Sequence, residues 1–230
     1  MSVEERRHWA DLTPPAGRPL RDRGHGSSAS DVGLFLTEAL RSLPETASVF
    51  PSSRHLASAL LRHIDFQKAS VFVELGIGTG AVTSQIVRRM RPGARLYAID
   101  INPRFVSCVQ RNISDSRMIP IVGCAEDLDR ILQDLGVSKV DAVVSCLGLT
   151  NMRETQRHAI IEQTLRKLGP DGIMSQFQYL HATGMSYCLR KLGLEYFSGG
   201  EYFEKRFKRV VTERVLRNLP PAAVFSCWAR

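Results

Sequence analysis

Short apolar runs alternate along this chain with stretches whose apolar residues recur every three or four positions. Val71-Phe72-Val73-Glu74-Leu75 reads as a buried strand, and Val82, Ile86, Val87 and Met90 as the inner stripe of the helix that follows. The alternation continues through strand 96–100, helix 104–112, a short strand 119–123, helix 127–135, strand 140–146 and helix 154–168. Gly169-Pro170-Asp171-Gly172 reads as a turn into strand 173–179, with Phe177 and Tyr179 on one face and Gln176 and Gln178 on the other. A helix over 184–192 and strand material over 195–197 come next. Strands alternating with helices predict an α/β domain, a parallel sheet with helices on both faces.

Upstream, Ser30 or Asp31 can cap a helix over 30–43 with Val32, Leu34, Phe35, Leu36, Ala39, Leu40 and Leu43 as its apolar residues. A second helix is predicted over 55–64. Residues 1–29 carry Pro14-Pro15, three glycines and five arginines, hold little that could form a core, and read as a flexible basic tail. The organisation expected is a tail over 1–29 and one domain over 30–230, with a helical cap over 30–64 and the sheet core over 70–230.

The strand end at Gly76-Ile77-Gly78-Thr79-Gly80 is the point of chemical interest. Strand, glycine turn and helix in succession let a backbone approach a ligand at a sheet's carboxyl edge. No Gly-Lys-Ser/Thr follows, which removes the nucleoside triphosphate reading, and Gly-x-Gly-x-Gly differs from the dinucleotide spacing Gly-x-Gly-x-x-Gly. About twenty residues on, Leu96-Tyr97-Ala98-Ile99-Asp100 ends in a carboxylate, a spacing that suits an acid taking ribose hydroxyls.

Glu74-Leu75-Gly76-Ile77-Gly78-Thr79-Gly80 together with Asp100 resembles motifs I and II of class I S-adenosylmethionine-dependent methyltransferases. That resemblance implies a doubly wound, Rossmann-like sheet of seven strands, mostly parallel with one antiparallel, and S-adenosylmethionine as cofactor. It implies that Gly76, Gly78 and Gly80 bring backbone close to the cofactor, that Asp100 takes its ribose, and that Glu74 and Ile101 belong to the same site. Ala125 and Glu126 would lie by the adenine, and Ser145 and Leu147 by the methyl group. The family usually carries Gly-Asp-Ala where this chain has Gly123-Cys124-Ala125. Glu126 or Asp127 is then left to accept from the adenine, or backbone groups hold the ring.

Further residues resemble bacterial phospholipid N-methyltransferases: Phe35-Leu36, Leu40-Arg41, Pro51-Ser52-Ser53-Arg54 and Leu56-Ala57 ahead of motif I, and Gln176-Phe177 with Tyr179 after it. Ser145-Cys146-Leu147-Gly148-Leu149 is similar to their Ser-Gly-Leu-Pro-Leu with two substitutions, and the segment 217–225 is like their terminal strand. The resemblance covers about residues 33–228. It implies that the helix containing Phe35 lies against a lipid surface and covers the cofactor, although such a helix can equally pack on its own domain. Ser52 and Ser53 would bond the cofactor's methionine carboxylate, or cap the helix after them.

Net charge +8 favours an anionic partner, nucleic acid or an acidic membrane. The segment 205–217 carries Lys205, Arg206, Lys208, Arg209, Arg214 and Arg217, and with the tail it is the expected membrane-facing charge. The five cysteines lack Cys-x-x-Cys spacing and read as small buried residues, neither a metal site nor a disulfide framework. No apolar run nears the roughly twenty residues that span a bilayer and no signal-peptide core is visible, so the expected location is cytoplasmic or peripheral on the cytoplasmic membrane face.

Methyl transfer from a sulfonium needs no nucleophilic side chain, so the lack of a Ser-His-Asp or paired-carboxylate signature agrees with it. Tyr179 is the acceptor-side candidate, through its hydroxyl or the face of its ring, with Ser145 and Leu147 beside the transferred group; a core role for Tyr179 stands beside this. The Asn-Pro-Pro-Tyr type motif of adenine and glutamine methylation is absent from the end of strand 140–146, and Asn218-Leu219-Pro220-Pro221 comes too late for that job. The expected activity is N-methylation of phosphatidylethanolamine headgroups at the membrane surface. The alternatives are methylation of RNA or a small amine, and a non-catalytic cofactor-binding or surface-binding module.

Overall fold

In the computed structural model, residues 54–180 and 197–229 are described. Helix α1 (Arg54–Leu60) leads into β1 (Val71–Leu75), α2 (Ala81–Arg89), β2 (Arg95–Asp100), α3 (Pro103–Asn112) and β3 (Met118–Val122). After a 3₁₀ turn over Ala125–Asp127 come α4 (Leu128–Asp134), β4 (Val140–Ser145), a second 3₁₀ turn over Leu149–Asn151, α5 (Glu154–Lys167) and β5 (Leu168–Tyr179). Helix α6 (Gly199–Glu204) and strands β6 (Arg209–Val215) and β7 (Ala222–Trp228) complete the set.

The seven strands form one sheet in the order β3-β2-β1-β4-β5-β7-β6. Neighbours from β3 to β5 pair in parallel, and β7 runs antiparallel to both β5 and β6, so a single strand is reversed. Two layers cover the sheet. Leu56 and Leu60 of α1, Val82 and Ile86 of α2 and Val106 of α3 pack on the face that presents Phe72, Ala98 and Val144. Leu128 and Leu132 of α4, Ile160 and Ile161 of α5 and Phe203 of α6 pack on the face of Val73, Leu75 and Val143. Burial on both faces is why the central strands read as unbroken apolar runs rather than as alternation.

Strand order reverses between β1 and β4, and at such a point the connections leave the sheet in opposite directions and open a crevice at the carboxyl edge. Two polar clamps fix the elements around it. The Asp141 carboxylate accepts from the backbone N–H of Ser70 at 2.7 Å and of Val71 at 2.9 Å, tying the start of β1 to β4. Arg117 donates to Val87 O at 3.0 Å and Met90 O at 2.7 Å, satisfying carbonyls at the end of α2, while Asp115 grips its guanidinium at 2.6 Å. That guanidinium holds the Asp115 carboxyl down at about 2. Arg117→Met is expected to lower stability by about 2 kcal/mol, measured by urea unfolding, because it leaves helix-end carbonyls and a half-buried carboxylate without their donor.

Several elements differ from the sequence expectation. The first described helix ends at Leu60, not at residue 64, and closes through a turn in which Arg62 N–H donates to Ala59 O; Leu61 and Ile64 are still buried. Gly169-Pro170-Asp171-Gly172 lies within β5, not ahead of it. Leu168 pairs with Val140 and Ile173 with Ala142, so these four residues face Asp141 alone as an irregularity in a continuing strand. Helix α6 begins with two glycines, a poor local helix signal. Its position is set instead by the buried Phe203, whose ring packs against Phe207 and Phe225. The basic segment 205–217 contains strand β6, whose register on β7 is fixed by pairing rather than by its composition. Cys227 is buried, but Cys108, Cys124 and Cys146 are only half-buried, and all four are free thiols. The helices over 30–43 and 184–192, most of the strand material over 195–197, the division at residue 29, Phe35, Ser52, Ser53 and Cys188 lie outside the described residues.

Candidate functional site

The carboxyl ends of β1, β2 and β4 meet at the crevice. Leu75 O accepts from Cys146 N–H at 2.8 Å and Ile99 O from Gly76 N–H at 2.8 Å, so the three strands stay paired up to their last residues. The chain then turns away from β1 through Gly76, Gly78 and Gly80, at φ 79, 49 and 81°. At Gly76 the reason is close approach: a Cβ there would stand 3.0 Å from Leu147 Cδ2, in the loop after β4. At Gly78 it is the left-handed backbone, and above it the space is open, with no atom within 4 Å of a Cβ. Gly80 forms the N-cap of α2.

Asp100, buried at the end of β2, holds this turn. Its carboxylate accepts from Gly78 N–H at 3.1 Å and from Asn102 N–H at 2.9 Å. Asn102 in turn caps α3 by accepting from Arg104 N–H at 2.9 Å. The acid expected on a ribose therefore also fixes the shape of the loop beside it. Ile101, the next residue, is 72% exposed, an apolar side chain standing in solvent.

Beneath the loop, Glu74 is wholly buried and neither carboxyl oxygen has a hydrogen-bond partner. Burial, with the charge of Asp100 adding to it, raises its pKa to about 8, while the nearby Thr83 pulls it down in part. The Thr83 hydroxyl itself stands outside hydrogen-bond geometry. Burial also pushes the Cys146 thiol well up, with Glu74 and Asp100 reinforcing the effect. The floor of the crevice thus places a carboxyl that burial keeps protonated, its oxygens unpartnered, next to Asp100.

Ser145 and Leu147 do not stand alike. Ser145 is completely buried with its hydroxyl unpartnered, and strand alternation puts it on the same side as its neighbour Leu75, opposite to Glu74. The residues of that loop that reach the surface are Cys146, Leu147 and Gly148, all half-buried. Ala125 and Glu126 form the 3₁₀ turn after β3. The Glu126 carboxylate accepts from Gln156 at 2.8 Å and Asp127 pairs with Arg130 at 3.2 Å, so both acids weighed as replacements at the Cys124 position are engaged by protein partners. Tyr179 is half-buried at the end of β5, its ring edge-on to Phe177 at 5.2 Å, on the face that carries Glu74. The Asn218 amide donates to Pro220 O at 2.7 Å and shapes the turn between β6 and β7.

Two residues that local sequence did not flag position the loop after β4. Gln176 donates to Leu147 O at 2.9 Å and to Phe177 O at 2.6 Å, and Arg157 donates to Leu149 O at 3.3 Å and Met152 O at 2.6 Å. Gln176 carried a family signal only through the Gln-Phe-x-Tyr run. Arg157 carried none, since one arginine in a polar helix reads as solvated surface.

Residues 72–172 match the family model described as a methyltransferase domain. The chain is 28% identical over 198 residues to the ornithine lipid N-methyltransferase of Singulisphaera acidiphila, covering 86% of this chain and 95% of that protein. It is 21% identical over 167 residues to the ribosomal RNA small subunit methyltransferase H of Thermosipho melanesiensis, covering 72% of this chain and just over half, 56%, of that one. Among solved structures, an O-methyltransferase from Bacillus cereus in complex with SAH superposes with a TM-score of 0.60 at 13% identity, over 89% of this chain and 92% of that one.

The chain carries a methyltransferase domain over residues 72–172, set on the class I methyltransferase fold. It is an enzyme that uses S-adenosylmethionine. The residues present fit that group on observations already made: open space above Gly78, an exposed Ile101 beside Asp100, and an orphaned buried carboxyl at Glu74. Glu74, Gly76, Gly78, Asp100 and Ile101 are the residues that would hold it. When bound, S-adenosylmethionine supplies an electrophilic methyl carbon on a sulfonium. The methyltransferase's own side chains then have to orient the acceptor and keep water out, and no side chain has to attack. The clamps on the Leu147 and Leu149 carbonyls fix the wall next to Gly76. Among the described residues no helix is long and apolar enough to cross a membrane.

Proposed function

We propose that this methyltransferase transfers methyl groups to the amine of a membrane lipid headgroup, with phosphatidylethanolamine as the first acceptor to test. The observation that carries this reading is the match to the ornithine lipid N-methyltransferase, which runs through 86% of this chain and nearly the whole of that relative. It extends well beyond the glycine loop that all such enzymes share. Both lipids present a primary amine on a flexible headgroup beside an acidic group, and N-methylation of either needs an unprotonated nitrogen held in line with the methyl carbon and sulfur. Tyr179 is assigned to the acceptor side, on the Glu74 face of the sheet, where its ring offers a surface for a methylated ammonium. Glu74, Gly76, Gly78, Gly80, Asp100 and Ile101 are assigned to the cofactor, and Ala125 and Glu126 to the region of its adenine.

A second reading, methylation of RNA, draws on the net charge of +8 and on the partial match to a ribosomal RNA methyltransferase. It lacks the planar-amide motif at the end of β4. One assay separates the two. Cofactor labelled in its methyl group is offered with vesicles containing phosphatidylethanolamine, vesicles containing ornithine lipid, and total RNA. Label is expected in an amino lipid at many times the no-enzyme blank and absent from RNA. Label in RNA with none in either lipid would overturn the proposal.

A further inference from the structure

The turn joining β6 to β7 stands out from the rest of the surface. Leu216 is 69% exposed and Leu219 80% exposed, among the few large apolar side chains left open to solvent in the described residues. A leucine pair at the tip of a hairpin contributes nothing to the core and would be better replaced by polar residues if the tip faced only water. The tip is nevertheless well formed. Asn218 is buried and its amide closes on Pro220 O at 2.7 Å, and Leu180 N–H donates to Pro221 O at 2.8 Å. Order is therefore built into a segment that displays two leucines.

Its place in the fold is equally informative. Tyr179, the last residue of β5, pairs with Ala222, the first of β7. The tip accordingly projects from the carboxyl edge of the sheet, the edge that carries the glycine loop and Asp100. Two arginines belong to it, Arg214 just before the tip and Arg217 between its leucines. Arg214 and Arg217 are exposed, and neither makes an ion pair with a described residue. The one acid nearby in sequence, Glu213, is paired with Arg62 at 2.8 Å. Between Leu216 and Pro221 there is no acidic residue. Apolar side chains with exposed arginines beside them match the cross-section of an anionic bilayer surface, acyl chains below and phosphates above.

We infer that the β6–β7 tip is a membrane-docking element, in which Leu216 and Leu219 enter the headgroup–acyl boundary while Arg214 and Arg217 pair with anionic headgroups. The docked orientation turns the carboxyl edge of the sheet, and with it the crevice, towards the lipid. This deepens the lipid-acceptor reading and rests on it for its purpose, but not for its test. An apolar tip can also meet another protein, and a second copy is the alternative occupant to be measured.

The test uses the full chain and vesicles of phosphatidylcholine with or without phosphatidylglycerol, with binding followed by flotation. Wild type is expected to partition to the anionic vesicles. The Leu216→Ser, Leu219→Ser double variant is expected to lose at least tenfold in partitioning, and Arg214→Gln or Arg217→Gln about fivefold each, equivalent to roughly 1 kcal/mol per arginine. Cofactor affinity by calorimetry should stay within twofold of wild type in all of them. In Leu219→Trp, quenching of the added indole by lipids brominated on their acyl chains reports insertion even where partitioning changes little. Equal vesicle binding by wild type and the double serine variant, together with no acyl-chain quenching, would overturn the inference. So would concentration-dependent dimerisation that the double variant abolishes while vesicle binding is absent. Docking without label in any lipid would leave the inference standing and remove the lipid-acceptor reading instead.

Discussion

Gly78→Arg is expected to yield a folded methyltransferase whose affinity for S-adenosylmethionine has fallen at least a hundredfold, about 2.8 kcal/mol of binding free energy. The fold should tolerate the change because no atom lies within 4 Å of a Cβ at this position. The cost to the folded state is the left-handed backbone at φ 49°, roughly 1–2 kcal/mol, and so a few degrees in Tm. The Gly78 N–H bond to Asp100 is backbone and stays available. What changes is the open space above the loop, which a long cationic side chain would fill just where a sulfonium nucleoside is assigned. Calorimetry on the purified variant, with circular dichroism as the folding control, checks it. Unaltered affinity in a folded Gly78→Arg would place the pocket elsewhere and remove the site assignment. Gly76→Val makes a useful contrast, since its Cβ would meet Leu147 at 3.0 Å and the loss there includes packing.

Glu74→Gln is expected to be more stable than wild type at pH 8.5, by about 1–3 kcal/mol, and to bind cofactor at least tenfold more weakly. The carboxyl keeps its proton in the folded protein up to about pH 8, against 4.5 for its ordinary value. As pH rises between those two values, the unfolded chain releases a proton that the folded one retains, so stability falls with pH and the loss is complete above about 8. At about 1.4 kcal/mol for each pH unit, the ceiling is roughly 5 kcal/mol. Relaxation and water entry bring the expected figure below it. Gln has the same shape and no titration, so the advantage of the variant should shrink to nearly nothing at pH 5. A ligand cation near Glu74 would offset the burial of its charge, which is why the same variant loses affinity and why wild-type affinity should rise with pH up to about 8. Thermal unfolding from pH 5 to 9, paired with cofactor titrations, measures both. A stability gap that is the same at both ends of that range would show that Glu74 is not the titrating group.

Much of the core was legible because each central strand is buried on both faces and each helix has one apolar stripe. Val71–Leu75, Arg95–Asp100 and Val140–Ser145 carry their own signal as apolar runs of strand length. Helix α3 announces itself through the Asn102 cap and Pro103 at its first turn. The glycine loop was legible for a different reason, since backbone at positive φ leaves glycine in the sequence wherever the turn is required. Gly169 to Gly172 misled because Gly and Pro signal a break in local conformation, while a bulge keeps the chain in the sheet through pairing on either side of it. Helix α6 was invisible because its stability is tertiary, resting on the Phe203 contacts with Phe207 and Phe225.

What the sequence determined by itself is the order of the elements from β1 to β5, the glycine turn, the acid that follows it, and with these the cofactor class. Those features depend on neighbours within a few residues, or on spacing that any doubly wound sheet converts into proximity. The tertiary structure alone decided what the side chains at the crevice face. It turned Ser145 away into the core, committed Glu126 to Gln156, and gave Asp100 the task of holding Gly78 as well as the ribose expected of it. It also set the leucines of a hairpin tip on the same edge of the sheet as the glycine loop. Burial, orphaned acceptors and shared edges depend on pairs of residues far apart in the chain, and local pattern carries no information about such pairs until the sheet brings them together.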